Sequence, residues 1–390
     1  MISVESALDQ LLALATPLPI EYTTLTQASG RVLATSVTAQ HSQPPFSASA
    51  MDGYAVTIKE ARIDAEFDVI GEAAAGRHYR GTVHSGQAVR IFTGAPLPAG
   101  TDFVVIQENV VRHGTKMRIT SDPGTDRNVR PEGGDFRKGR TIDAPRFLNS
   151  RDIALMAAMN IIRIPVYQKP NVAIIPTGDE LVFPGDQPNK DQIFASNVFG
   201  LKSMLDQIGA NSRIMPIARD SLESLRTVFE LASESDLVLT IGGASVGDYD
   251  LVGEAAKNLG MQRSFYKVAM RPGKPLMAGR LSKSIMLGLP GNPVSAMVCG
   301  YVFVEPLVRK MQGISGNRFN ELQIRLSGSL SRNGPRKHYM RALREGDKVL
   351  AFEQQDSSLL SVLAAANALL IRPPYDPARS DGDLVTILPI

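Results

Sequence analysis

The sequence predicts a multidomain α/β protein with a central three-layer parallel-sheet α/β domain and smaller, mostly β domains. Between Asn171 and about residue 311, short apolar segments alternate with segments of helical spacing. This alternation is typical of a parallel sheet covered by helices. In residues 46–135 and in the tail, short apolar runs are instead separated by Gly, Pro and Asp. Such spacing favours small β domains.

Hinge signals divide the chain into four predicted domains. Gln43-Pro-Pro-Phe46 and Lys169-Pro170 favour extended backbone at domain boundaries. We therefore expect a helical and linker domain at residues 1–45 plus 136–168, a mostly β domain at 46–135, an α/β domain at 169–315 and a β-barrel-like domain at 316–390. The second domain is then an insertion into the first.

Three segments before the α/β part are predicted to be helical. Residues 3–15 place their apolar side chains on one helical face, and Ser3 is a candidate N-cap. The short segment 31–34 interrupts a stretch that is otherwise poor in helix. Residues 151–159 form the third helix, with Asn149 or Ser150 as its cap.

The α/β part is predicted to run strand, helix, strand, helix, strand, helix, strand, helix. The segments are 172–176, 196–208, 213–218, 222–232, 237–241, 250–260, 285–289 and 293–311. Ser221 is the expected N-cap of the second helix. Asn292 followed by Pro293 fits the N-cap and first position of the last helix.

Composition narrows the function classes. The chain of 390 residues is 43% hydrophobic and 21% charged, and its net charge of +3 is too small for a dedicated nucleic-acid binder. A single cysteine, Cys299, excludes an internal disulfide and is expected to be buried. The sequence begins with no signal-peptide pattern and has no span of about 20 apolar residues, so we expect a cytoplasmic protein without membrane partners. The histidines show no zinc-ligand spacing.

The stretch Thr240-Ile-Gly-Gly-Ala-Ser-Val-Gly-Asp-Tyr-Asp250 is the first candidate site. It joins a predicted buried strand to a helix, and such turns lie at the carboxyl ends of parallel strands, where backbone N–H groups bind phosphate. Gly242, Gly243 and Ser245 are therefore candidate phosphate-binding residues. The glycine spacing is neither G-x-G-x-x-G nor Walker A. The alternative is an ordinary structural turn.

Acidic residues occur in three strand-end loops. Asp179 and Glu180 follow the first strand, Asp220 follows the second, and Asp248 and Asp250 follow the third. Hard cations such as Mg²⁺ choose oxygen ligands and bridge phosphates, so Glu180, Asp220 and Asp250 are candidate metal ligands. The alternative is that each acid is a solvated loop residue or a helix cap.

A basic turn follows the glycine-rich stretch. Lys267, Arg271 and Lys274 lie close together in sequence, and two prolines stiffen the turn. These cations could offset charge on anionic oxygens in the ground state and the transition state. The alternative is a solvated basic surface.

Six motifs in order resemble the molybdopterin molybdenumtransferase family, MoeA and the E domain of gephyrin. They are SAMDGYA (49–55), TGAP (93–96), TGDEL (177–181), GGASVGDYD (242–250), RPGKP (271–275) and LPGNPVS (289–295). The resemblance covers nearly the whole chain. It implies four domains, the third of molybdopterin-binding type, and insertion of molybdate into adenylated molybdopterin with release of AMP, assisted by Mg²⁺.

The resemblance also implies roles for individual residues. Asp52, Glu180, Asp220, Asp250, Lys267 and Lys274 take catalytic positions. Binding positions fall on Thr93, Arg130, Asp135, Arg271, Pro290, Pro293, Arg341 and Ser357, in addition to the glycine-rich turn. A homodimer is implied in which Asp52, Thr93 and Asp135 act in trans to Asp250, giving composite sites. The pathway's adenylyltransferase and acceptor molybdoenzymes are possible partners.

The chain departs from the family pattern at three places. Gly133-Gly134-Asp135 stands where the family commonly has Gly-Glu-Asp, and Asp356-Ser357-Ser358 stands where it commonly has Gly-Ser-Gly. Arg271 replaces the Lys of some members, which keeps the charge and changes the hydrogen-bond geometry. An acid at 356 would raise the cost of holding molybdate beside it.

Two other functions are compatible with the same motifs. The adenylyltransferase of the pathway has a related domain, but its Gly-Gly-Thr-Gly loop is replaced here by Gly242-Gly-Ala-Ser245. A scaffold that keeps the fold for partner binding is the other alternative. Intact Glu180, Asp250 and Lys274 favour retained chemistry.

Overall fold

A computed structural model of the chain describes residues 1–243, 251–314 and 321–390. Its central six-stranded sheet has the order Asn211–Ile214, Asn171–Pro176, Leu237–Ile241, Ser284–Leu289, Met277–Leu281, Gln262–Tyr266. The first four strands are parallel, as predicted. Met277–Leu281 runs antiparallel to Ser284–Leu289, because a tight turn at Ser282, with φ of 52°, joins these two strands. Gln262–Tyr266 pairs antiparallel to Met277–Leu281.

Helices cover both faces of this sheet, which confirms the three-layer prediction. Alternate residues of the strand Asn171–Pro176 enter different cores, with Ile174 in one and Ile175 in the other. Two helices, Leu222–Leu231 and Leu251–Asn258, cover the second face. The first face is covered by Asn197–Gln207, Pro293–Cys299 and Glu305–Met311.

The last helical segment is not one continuous α-helix. A π-helical stretch, Gly300–Val304, separates its two α-helical parts. Gly300 lies against the neighbouring helix, where an added Cβ would come within 2.8 Å of the Leu201 Cδ2 atom. Close helix packing therefore requires glycine at the point where the π turn begins.

The N-terminal helix packs against the central sheet. It spans Val4–Ala13, and the Ser3 side chain accepts a hydrogen bond from the Ser6 amide, as the capping prediction required. Its buried face, with Leu8 and Leu11, lies in the core of the central sheet. The sequence predicted the helix but not this packing, because helical periodicity identifies an apolar face and not the partner of that face.

Two separated segments build a small sheet beside the central one. Its strands are Ile20–Thr23, Ile164–Tyr167, Val32–Leu33 and Arg146–Phe147, with a further pair Val37–Thr38 and Thr141–Ile142. The helix predicted at residues 31–34 is wrong. Those residues form a strand, and the buried Arg31 side chain binds Glu21 and the Tyr167 carbonyl. Asn149 caps the helix Ser150–Ala158 in a capping box with Asp152.

Residues 46–135 form β-structure, as the fold class predicted. A six-stranded sheet has the order Phe103–Ile106, Gly53–Val56, Gln87–Ile91, Glu66–Ala73, Lys116–Ile119, Val110–His113. A separate pair joins Ala48–Ser49 to Val129–Arg130. Short 3₁₀ turns occur at Ile58–Glu60 and Gln107–Asn109, and another lies earlier in the chain at Leu25–Gln27.

The tail is a closed five-stranded barrel. Its strands are Lys337–Glu345, Lys348–Ala351, Leu322–Ser327, Leu384–Pro389 and Ala368–Arg372, and the last pairs again with the first. A helix, Leu360–Ala365, precedes the closing strand. The short strand Met270–Arg271 pairs with Lys337 and His338, so the barrel is hydrogen-bonded to the basic turn. None of the described helices is long and apolar enough to span a membrane.

Candidate functional site

A cavity of about 570 Å³ lies at the carboxyl ends of the parallel strands. Three of the predicted strand-end loops meet there, contributing Thr177 and Glu180, then Gly242 and Gly243, then residues 290–293. Carboxyl ends of parallel strands share one edge of a sheet, which explains why loops far apart in sequence converge. Its other lining residues are Pro176, Leu181, Ile193, Phe194, Ala195, Ser196, Asn197, Val198, Ile241, Pro275 and Ser358.

The glycine pair is required by close packing. Gly242 has φ of 97°, and its Cβ would lie 2.6 Å from the Thr177 carbonyl oxygen. Gly243 has φ of 63°, and its Cβ would lie 2.3 Å from the Val252 Cγ2 atom. The Gly242 amide donates to the Leu289 carbonyl, so it is not one of the free phosphate donors expected from the sequence. Ser245 and Asp250 lie outside the described residues.

The acidic loop after the first strand folds back on itself. The Glu180 carboxylate lies over Gly178, where an added Cβ would come within 2.3 Å of its Oε2 atom. The Asp220 amide donates to the Asp179 carboxylate at 3.1 Å, which joins the second strand-end loop to the first. The structure therefore brings Glu180 to the cavity and fastens Asp220 to the same loop.

Arg219 fixes this loop from behind. Its Nη1 atom donates to the carbonyls of Gly178, Asp179 and Leu181, at 3.3, 3.1 and 3.1 Å respectively. One guanidinium nitrogen thus holds the backbone on both sides of Glu180. Sequence analysis gave Arg219 no role, and its place next to Asp220 was the one signal that could have drawn attention to it.

For the reaction that the motif resemblance implies, we expect Arg219→Ala to raise the Mg²⁺ concentration needed for half the maximal rate and to lower kcat about tenfold. The reason is that a small displacement of catalytic groups slows a reaction strongly. Arg219→Lys should recover part of the loss, since lysine can reach some of the carbonyls. Arg226→Ala, on the following helix, is the matched control, because its side chain is 66% exposed. Equal Mg²⁺ dependence in Arg219→Ala and Arg226→Ala would contradict a positioning role.

The donor set of the acidic loops fits a hard cation. Glu180 and Asp220 are exposed carboxylates, and neither forms an ion pair with another described residue. Within residues 1–243, 251–314 and 321–390, no group of three or more His, Cys, Asp or Glu side chains is close enough to hold a metal. The third predicted ligand, Asp250, is not among those residues. The three-carboxylate site therefore stays a prediction.

The basic turn borders the cavity through Pro275. Lys267 has φ of 65°, and its ammonium lies 5.1 Å from the Tyr266 ring centroid. Arg271 is exposed, and Lys274 is partly exposed. None of these three cations lines the cavity itself.

The turn is held tightly against the central core at Gly273. Gly273 has φ of 108°, and a Cβ there would lie 2.7 Å from the Cys299 Sγ atom. Cys299 is fully buried, as predicted, and burial raises the pKa of its thiol far above the usual range. The cysteine therefore acts as a packing residue beneath the turn.

The LPGNP loop is hydrogen-bonded to the tail. Pro290 and Pro293 line the cavity, while the Asn292 side chain donates to the Ser357 hydroxyl at 3.1 Å. The Val294 amide donates to the Ser357 carbonyl, also at 3.1 Å. Asn292 occupies the predicted N-cap position, but its side chain makes no cap hydrogen bond. It is used to join the two loops.

Arg341 is the most unusual charged group near the cavity. Its side chain is fully buried, and its Nη2 atom donates to the Gln354 and Asp356 carbonyls at 3.3 and 2.9 Å. Its Nε and Nη1 atoms are buried without any hydrogen-bond partner. Burial lowers the pKa of the guanidinium, although the negative charge of Asp356 partly opposes this effect; nearby Arg271 adds a smaller lowering effect. Buried charges of this kind are normally paired.

The aspartate that departs from the family pattern is satisfied locally. The Asp356 carboxylate accepts hydrogen bonds from the Ser358 amide and hydroxyl, at 2.8 and 2.6 Å. These bonds lower the pKa of Asp356. Its backbone carbonyl accepts the hydrogen bond from Arg341, and its carboxylate also interacts with Arg341 through its charge.

A second group of predicted site residues lies in residues 46–135. The Asp52 carboxylate accepts from the Thr93 amide and hydroxyl at 2.7 and 2.8 Å. These bonds, and to a smaller extent Arg90, hold the pKa of Asp52 below its usual range. The strand Ala48–Ser49 pairs with Val129–Arg130, and the Ser49 amide donates to the Ala95 carbonyl. This strand therefore connects Arg130 to the loop that carries Thr93. Asp135 is exposed, and its amide donates to Gln43.

The second group does not line the cavity at the central sheet. Of the described residues between 46 and 135, none lines the cavity at the sheet. The predicted residues that do line it are Glu180, Gly242, Gly243, Pro290 and Pro293. Sequence analysis missed Phe194 and Asn197 in its wall, although Asn197 donates to the Gly291 carbonyl at 2.8 Å and so joins two loops.

Comparisons with known proteins cover the same regions. Three family models match: MoeA N-terminal region (domain I and II) at residues 2–160, probable molybdopterin binding domain at 173–310, and MoeA C-terminal region (domain IV) at 323–390. A molybdopterin molybdenumtransferase of Nostoc sp. is 35% identical over 94% of this chain and 88% of its own. A protein of the same name from Haemophilus influenzae is also 35% identical, over 80% and 78% of the two chains.

A solved structure shows the same fold over the full length. The moeA molybdopterin biosynthesis protein from Pyrococcus horikoshii OT3 is 26% identical to this chain. It superposes with a TM-score of 0.85, covering 100% of both chains.

Proposed function

Because the chain belongs to the molybdopterin molybdenumtransferase family, we propose that it inserts molybdate into adenylated molybdopterin with release of AMP, assisted by Mg²⁺. AMP leaves when water hydrolyses the bond between the two phosphates of the adenylated substrate, which leaves one phosphate on AMP and the other on the molybdopterin. The family assignment supplies the pathway, molybdenum cofactor biosynthesis. The chemistry of the site supports the further parts of the proposal, which are the two substrates, Mg²⁺ and the release of AMP.

The buried Arg341 guanidinium carries the proposal. Two of its nitrogens have no partner, and leaving a buried charge-bearing donor unsatisfied is costly. A tetrahedral oxyanion such as molybdate can accept from both nitrogens and neutralise the charge. Arg341 contacts the loop that carries Ser357, and the next residue, Ser358, lines the cavity. An oxyanion held there lies beside the space for the organic substrate.

The acidic and basic loops have complementary tasks. Glu180 and Asp220, with Asp250, would hold Mg²⁺, which supplies charge neutralisation on phosphate oxygens. Lys267, Arg271 and Lys274 attract the anionic substrate and offset charge on its oxygens.

A homodimer with composite sites explains the second group of residues. Asp52 and Thr93 form a rigid hydrogen-bonded pair that makes no wall of the cavity in its own chain. A two-fold dimer can bring the same pair over the cavity of the partner, because each interface contact then occurs twice.

The direct test is to incubate the purified protein with adenylated molybdopterin, Mg²⁺ and molybdate, and to follow AMP. We expect AMP release that requires molybdate and that stops when Mg²⁺ is chelated. Absence of molybdate-dependent AMP would contradict the proposal. If ATP and molybdopterin instead gave pyrophosphate, the chain would be an adenylyltransferase.

A further inference from the structure

Two large apolar side chains are exposed inside the cavity. Phe194 is 46% exposed and Ile193 is 60% exposed, and both line the cavity wall. The next residue, Ala195, also borders the cavity, but its side chain is buried in the central core. Core packing therefore involves the Ala195 side chain but leaves the Phe194 ring partly exposed.

The strand that carries these residues is attached to the acidic loop. Ile193–Phe194 pairs in parallel with Leu181–Val182, and the Ile193 amide donates to the Glu180 carbonyl at 2.8 Å. On its other side, the strand leads into the helix Asn197–Gln207, whose first residue bonds to the LPGNP loop. The apolar wall is thus fixed at both ends to polar loops of the site.

An isolated exposed aromatic residue on a protein surface needs no explanation. This one lines a concave space of about 570 Å³ together with glycine, proline, polar and further apolar residues. Small-molecule sites combine such an apolar wall with a few fixed polar groups. A partly exposed aromatic ring is suited to stack on a planar heterocycle, and stacking tolerates different ring systems.

We propose that Phe194, supported by Ile193, is the stacking platform that positions a fused heteroaromatic ring of the substrate in the cavity. This inference rests on the proposed function, in which the substrate carries two such rings, adenine and pterin. Stacking at Phe194 places the ring beside the strand joined to Glu180, so that the attached phosphates reach the acidic loop. Phe194 is then a positioning residue, and takes no part in bond breaking.

The test measures binding of adenylated molybdopterin, of molybdopterin and of AMP to the full chain by calorimetry. Phe194→Leu keeps an apolar side chain and removes the ring, and should weaken binding of adenylated molybdopterin about tenfold to a hundredfold. KM should rise by a similar factor while kcat changes little. Phe194→Tyr restores a ring and should stay within about threefold of wild type. Phe147→Leu is the control, because Phe147 is 39% exposed and lies outside the cavity.

The two smaller ligands distinguish the rings. A loss confined to AMP identifies adenine as the stacked ring, and a loss confined to molybdopterin identifies the pterin; both support the platform. Unchanged affinity of Phe194→Leu for adenylated molybdopterin, with wild-type binding intact, overturns the platform and leaves the proposed function standing. Failure of the wild-type protein to bind adenylated molybdopterin overturns both.

Discussion

Glu180→Gln is expected to lower the rate of molybdate-dependent AMP release at least about 100-fold. The substitution removes a carboxylate that would hold Mg²⁺ beside the phosphates, where negative charge develops, and it changes the side-chain shape little. Glu180 lines the cavity, and its carboxylate is held over Gly178 by a loop that Arg219 fixes through three carbonyls. Glutamine can keep the position but is a much weaker ligand for Mg²⁺. The rate is measured in a single turnover at saturating adenylated molybdopterin.

A second readout separates metal binding from general damage. Calorimetric titration with Mg²⁺ should show weaker binding to Glu180→Gln, while its thermal unfolding stays near that of wild type. Glu345→Gln is the matched control, since Glu345 is exposed on the barrel and lies outside the cavity. A Glu180→Gln rate within about threefold of wild type, less than ~1 kcal/mol of barrier, would remove Glu180 from the metal site.

The central sheet and the meeting of its loops could be predicted because both depend on local patterns. Alternating apolar periods identify strands and helices, and parallel strands necessarily present their carboxyl ends at one edge. Gly242 and Glu180 were therefore found as cavity residues from sequence. The amide bond from Gly242 to Leu289 was not, because it depends on the spacing of two strands and not on the turn.

The remaining features are contacts between distant segments. No local pattern indicates that Asn292 bonds to Ser357, or that Arg341 is fully buried with two unpartnered nitrogens. The resemblance identified Arg341 as a binding residue, but its burial supplies the physical reason. The predicted helix at residues 31–34 was wrong for a related reason: strand pairing with residues 146–147 outweighs weak helical propensity.

The predicted site residues of 46–135 are separated from the cavity, which allows a test of the proposed homodimer. The predicted residues of 46–135 and those of the central sheet were expected to serve one reaction, yet the described part of 46–135 contributes nothing to the cavity wall. Asp52 is nevertheless prepared as an anion, because two hydrogen bonds from Thr93 stabilise its charged form. A surface carboxylate held in this way, close to Arg90, fits a residue that completes the site of a partner subunit.

Mixed dimers of Asp52→Ala and Glu180→Gln are expected to regain about a quarter of wild-type activity, although each variant alone is inactive. Random pairing makes about half of the dimers heterodimers, and each heterodimer has one doubly damaged site and one undamaged site. The control mixture is Asp52→Ala with Thr93→Val. Asp52 and Thr93 belong to the same contributed part of each composite site, so both sites of every heterodimer are damaged and the mixture should regain no activity. Native mass spectrometry verifies that heterodimers form, and AMP release measures activity. If heterodimers form and the first mixture stays as inactive as the control, Asp52 and Glu180 act within one subunit, and the composite-site arrangement is wrong.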